Sequence, residues 1–213
     1  MKFRLFQAEN KNCPLFLLHN YQDDGEKIFD LAKELSRKNF ALLVIYDFDW
    51  ESQRTPWPAP SIGKNGSSFS GQADEYLRSL TASLLPEVLK QVRPSKIGIL
   101  GYSLAGLFSL YSLYRLDCFS LAASVSGSLW YPSFDEFVFS HQRKKKPDKI
   151  YLSVGDKEKN TSNPFLSKVE EKTKVIDEYY KSIGIPVLYE LNKGNHFADV
   201  SLRLAKAIAF LLK

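Results

Sequence analysis

The sequence predicts an α/β fold: a mostly parallel central sheet flanked by helices on both faces. Three observations predict it. Short β-type apolar runs alternate with longer runs of helical period from end to end, as they do when strands are buried on both sides. A glycine-flanked strand-to-helix turn falls near mid-chain, Gly101-Tyr102-Ser103-Leu104-Ala105-Gly106. The length of 213 residues, with 44% hydrophobic and 14% aromatic content, suits one compact domain over residues 1–213 without a large cap domain.

Taken in order, residues 3–8 and 15–19 read as strands. Residues 26–38 read as a helix with Ile28, Leu31, Ala32 and Leu35 on one face. A strand at 42–47 is followed by a long connection, 48–70. A helix at 74–92 places Leu77, Leu80, Leu84, Val88 and Leu89 together, with a kink expected at Pro86. A strand at 97–100 runs into helix 104–116, which is apolar almost all round and so should be the most buried. A strand at 121–125 leads to a second long connection, 126–149. Strand 150–154, helix 164–181, strand 187–191 and helix 199–212 complete the set. Both long connections leave the C-terminal edge of the sheet, where open α/β folds bind ligands. Their aromatic residues argue against interdomain linkers.

Composition excludes several classes. No stretch approaches the roughly 20 apolar residues of a membrane span, and the first residues lack the pattern of a cleaved signal. Cys13 and Cys118 show no metal-type spacing and read as free buried thiols. A cytoplasmic location is therefore expected. The net charge of +5 is modest, and its one basic cluster, Arg143-Lys144-Lys145-Lys146, reads as a solvated loop before Pro147. Neither a nucleic-acid motif nor an internal repeat is present. Nothing in these patterns encodes an oligomeric state.

The mid-chain turn carries the chemistry. A sharp bend between strand and helix strains the serine backbone and lifts its hydroxyl above the sheet. The residues two before and two after must be small because the two backbones pass close together. Gly101 and Ala105 meet that need around Ser103. The following helix N-terminus offers a positive dipole end and the Leu104 amide to an oxyanion.

This turn resembles the nucleophile elbow of the α/β-hydrolases, whose functional residues run in the order serine, acid, histidine. Of three histidines, only His196, in Lys193-Gly194-Asn195-His196-Phe197, follows the last strand. His141 lies in the basic loop and His19 precedes the elbow. The acid should follow strand 150–154, where Gly155-Asp156-Lys157-Glu158 presents two carboxylates. Glu158 is preferred because it lies three residues past the turn glycine; Asp156 is the alternative, and a serine–histidine dyad is a third arrangement. A second oxyanion amide is expected from the loop after strand 15–19, from Tyr21 or, failing that, Asn20.

The resemblance narrows further to the putative-esterase branch, which includes siderophore esterases of the enterobactin type and esterase D-like enzymes. It rests on the elbow and its continuation to Phe108, on Ser126-Gly127-Ser128-Leu129-Trp130, on Gly155-Asp156-Lys157-Glu158, and on Gly194-Asn195-His196-Phe197. It implies hydrolysis of small carboxylic esters with no metal or organic cofactor. Trp50, Arg54, Trp57, Trp130 and Tyr131 are expected to wall a substrate pocket, with Arg54 on a substrate carboxylate or in a surface ion pair. Thioesterase, peptidase, acyltransferase and non-catalytic binding roles share the same scaffold.

Overall fold

The computed structural model describes residues 2–7, 12–46, 49–63 and 66–213. Seven strands form one sheet in the order β1-β3-β2-β6-β7-β8-β9. They are β1 Lys2–Phe6, β2 Leu15–His19, β3 Ala41–Tyr46, β6 Ile97–Tyr102, β7 Leu121–Val125, β8 Lys149–Gly155 and β9 Val187–Asn192. Strand β1 runs antiparallel to β3, and every other pairing is parallel. Ala8 and Asp47, expected to end β1 and β3, lie outside the described residues, as does Phe48. Two minimal strands, β4 Pro58–Ala59 and β5 Phe69–Ser70, pair as a separate hairpin inside the first long connection.

Strand residues alternate between two cores, because successive side chains point to opposite faces. Leu15, Leu17, Leu43 and Ile99 join one core. Phe16, Leu18, Val44 and Leu100 join the other. Helices α1 Gly25–Ser36 and α8 Val200–Leu211 pack together on the second face. The first face carries α3 Ala73–Ser79, α4 Leu85–Gln91, α5 Leu104–Arg115 and α7 Val169–Ser182. Every residue of α5 from Leu104 to Tyr114 is buried, in line with its apolar sequence.

Two departures from the sequence reading have local causes. The 74–92 helix does not simply kink at Pro86. It widens into a π-helical stretch over Leu80–Leu84, where the Leu85 amide donates to the Leu80 carbonyl. Proline lacks an amide and its ring crowds the preceding turn, so a wider turn just before it relieves the clash. The long connections also hold structure of their own: α2 Trp50–Gln53 in the first and α6 Phe134–Ser140 in the second. Asp49 caps α2 by accepting from the Ser52 amide at 3.1 Å. Such short helices offer too few turns for a periodic signal.

The register sets the site. His19 lies beside Gly101 and Tyr102 beside Val125, so β2, β6 and β7 end level with one another. The loops after β2, β6, β7, β8 and β9 therefore converge on one edge of the sheet.

Candidate active site

Ser103 occupies the turn between β6 and α5 with φ 57° and ψ −123°, a conformation that a residue with a side chain rarely adopts. The bend is stitched to its surroundings. The Ser103 amide donates to Val125 O at 3.1 Å, and Ser103 O accepts from the amides of Gly106 and Ser128 at 2.9 and 3.0 Å. Gly101 cannot carry a side chain here, since a Cβ would sit 2.5 Å from the Ala105 backbone. These contacts hold the hydroxyl at the sheet edge despite the strain.

The histidine loop and the acidic loop meet on the same edge. His196 Nδ1 lies 2.7 Å from Glu158 Oε2. The other oxygen, Oε1, accepts from the Gly155 amide at 2.6 Å, Ser126 Oγ at 2.8 Å and Arg203 Nη1 at 3.1 Å. Burial pushes the Glu158 carboxyl up, but the His196 ring, Ser126 and the Gly155 amide together hold it below the ordinary value of 4.5. A carboxylate bound to Nδ1 fixes the ring's orientation and leaves Nε2 for proton transfer. Asp156 does other work: its Oδ1 accepts from the Gly194 amide at 2.8 Å and ties the two loops together.

Ser103 and His196 share the walls of two adjoining cavities of about 440 and 400 Å³, with Trp50 and Phe197 also common to both. Among the described residues no hydrogen bond joins Ser103 Oγ to the imidazole. The hydroxyl instead lies 3.4 Å from Ser128 Oγ. The larger cavity is lined by apolar side chains including Ile62, Phe69, Trp130 and Leu166, while Asn20, Tyr21, Gln22 and Asp24 line the smaller.

A family model described as "Putative esterase" matches residues 9–200. The chain belongs to that esterase family. A relative from Bacillus subtilis (strain 168), the uncharacterized protein YbbA, is 27% identical over 177 residues, covering 77% of this chain and 71% of that protein. An IroE-like serine hydrolase from Shewanella oneidensis superposes with a TM-score of 0.82 at 16% identity, over 99% of this chain and 75% of that one. The siderophore hydrolase EstB from Aspergillus nidulans gives 0.70 at 17% identity, over 99% and 90%. The enterobactin esterase FES from Shigella flexneri gives 0.72 at 17% identity, over 98% of this chain and 55% of that one. These superpositions establish the α/β-hydrolase fold. Ester hydrolysis is the chemistry for which the family is named.

Within this esterase-family fold the remaining candidates separate. The Leu104 and Tyr21 amides have no acceptor among the described residues. The Asn20 amide donates to Ile45 O at 3.0 Å and so is taken. Trp50 and Trp130 line the cavities. Trp57 and Tyr131 do not: the Trp57 indole donates to Pro132 O at 3.1 Å, Tyr131 Oη donates to Trp57 O at 2.5 Å, and both pack into an aromatic cluster with Phe137 and Phe69. Arg54 is neither a substrate clamp nor a surface ion pair. It is fully buried, with its guanidinium 3.8 Å from the Tyr76 ring centre and 4.8 Å from that of Phe108. His19 is buried against the same two rings, and burial then Arg54 hold it well below its ordinary value.

The sequence reading gave no role to Ser126, Ser128, Tyr102 or Arg203. An arginine among the buried residues of α8, beside Ser201, Leu204 and Ala205, was the legible signal. No cluster of three or more potential metal-ligating side chains occurs among the described residues. Likewise, no described helix is long and apolar enough to cross a membrane.

Proposed function

We propose that this family member is a serine hydrolase that cleaves carboxylic esters of small molecules through an acyl-enzyme. The 2.7 Å contact between Glu158 and His196, beside a strained serine in a shared cavity, carries the reading. Ser103 Oγ attacks the ester carbonyl while His196 Nε2 takes its proton. The oxyanion rests on the Leu104 and Tyr21 amides, each worth about 3 kcal/mol of barrier. The C–O bond to the leaving alcohol breaks, and the imidazolium returns its proton to that oxygen. Water then attacks the acyl carbonyl with His196 as base, releasing the acid and restoring the serine. Glu158 stays ionised and stabilises the imidazolium.

The serine–histidine bond tightens in the complex with substrate, as catalytic hydrogen bonds commonly do. Cavities of this size fit a small ester. The matching esterase family, and an enterobactin esterase among the structural neighbours, support ester rather than amide cleavage. A fluorophosphonate probe tests the nucleophile. Wild type should be labelled and Ser103→Ala should not. Failure to label wild type would favour a binding role for the scaffold, and labelling of both would move the nucleophile elsewhere.

A further inference from the structure

Arg203, on α8, is almost completely buried yet reaches four segments of the site. Its Nη1 lies 3.1 Å from Glu158 Oε1, 3.1 Å from Ser126 Oγ and 3.1 Å from Tyr102 Oη. Its Nη2 donates to Lys193 O at 2.8 Å and Asn195 O at 3.2 Å, both in the loop that carries His196. Tyr102 in turn donates to His196 O at 2.7 Å. One guanidinium therefore touches the acid, its hydroxyl partner, the residue before the serine and the histidine loop. A side chain at Gly155 would end this convergence, since a Cβ there would lie 2.9 Å from Glu158 Oε1 and 3.0 Å from Arg203 Nη2.

We propose that Arg203 is a positioning residue that orients Glu158 and the His196 loop as one unit and supplies the standing counter-charge to the buried carboxylate. The inference rests on the serine-hydrolase reading above. A buried carboxylate needs a counter-charge. Arg203 supplies one permanently at 3.1 Å, so the carboxylate does not depend on the ring for its charge balance. Without Arg203 the imidazolium becomes the remaining counter-charge, and His196 takes its proton at higher pH.

Of the other groups around this unit, Asp156 accepts from the Gly194 amide at 2.8 Å. Glu190 of β9 pairs with Lys206 at 2.7 Å and accepts from Tyr151 of β8 at 2.6 Å. Burial pushes Tyr189 of β9 up to about 12, so it stays neutral. Asp24, before α1, accepts from Ser201 at 2.9 Å. None of these replaces the charge on Glu158.

The test is kcat/KM for a neutral aryl acetate from about pH 5 to about pH 9, followed by pH-stat. In Arg203→Gln the acid limb should move up by about one pH unit, a roughly tenfold extra loss at low pH beyond any uniform fall in rate. Arg203→Lys keeps the charge but loses the fork. It should hold the acid limb within about 0.3 unit of wild type while kcat drops more than KM changes. A folded Arg203→Gln with an unmoved limb overturns the proposal. Should that variant not fold, Arg203→Lys decides: a limb displaced by about a unit, or an undiminished kcat, overturns it equally. Ser103→Ala assayed alongside separates the two readings. If it retains full rate, the serine-hydrolase reading has failed rather than the role of Arg203.

Discussion

The two oxygens of Glu158 do different jobs: Oε2 holds the imidazole, while Oε1 collects an amide, a hydroxyl and a guanidinium. Asp156, two residues earlier, bonds the Gly194 amide and never meets the ring. Turnover should therefore fall far more in Glu158→Ala, by about 100-fold or more, than in Asp156→Ala, where a several-fold loss from a loosened loop is expected. Steady-state rates on one ester decide the ranking, and the reverse order would remove Glu158 from the acid's place. Spacing alone left these carboxylates in competition, because both follow one turn glycine. What separates them is the curl of the loop, with the Glu158 amide donating to Gly155 O at 3.1 Å, which turns the later side chain inward.

At the scale of elements, the β6–α5 junction is the part most legible in the sequence. Its signal is local: a strand, small residues at fixed offsets and an apolar helix must adjoin in the chain to work at all. The packing there is tight enough to predict a cost. Gly101→Ala would press a methyl against the Ala105 backbone and should destabilise the fold by about 1–3 kcal/mol, with slower fluorophosphonate labelling of Ser103 as the bend shifts. Thermal unfolding and labelling rate measured together test this; a variant with wild-type values in both would show that the elbow is less confined than it is here. The long connections were opaque by contrast. Their aromatics read alike in the sequence, yet Trp50 and Trp130 face the cavity while Trp57 and Tyr131 lock the connections to each other.

At the scale of the whole molecule, α8 closes one face of the sheet and its first turn also brings Arg203 to the edge where the loops meet, so stability and site electrostatics share one buried ion pair. Its pH signature has a definite sign. Glu158 lies below 4.5 when folded, so its contribution is present above the unfolded value and is lost as pH falls through the folded one. Wild type should melt well above Glu158→Gln at neutral pH, and that gap should narrow as pH drops below 4.5; a gap that stayed constant down to acid would contradict the linkage. Sequence by itself determined the order of the seven sheet strands and the longer helices between them, the two-faced burial of the sheet and the serine's place at its bend, because periodicity and turn chemistry act over neighbouring residues. Only the tertiary structure decided which carboxylate meets His196, that Arg54 is buried under Tyr76 and Phe108, and that Arg203 binds the loops together. Each of those outcomes joins residues from distant segments, and which segments meet is set by strand register and helix packing, properties of the folded molecule rather than of any one segment.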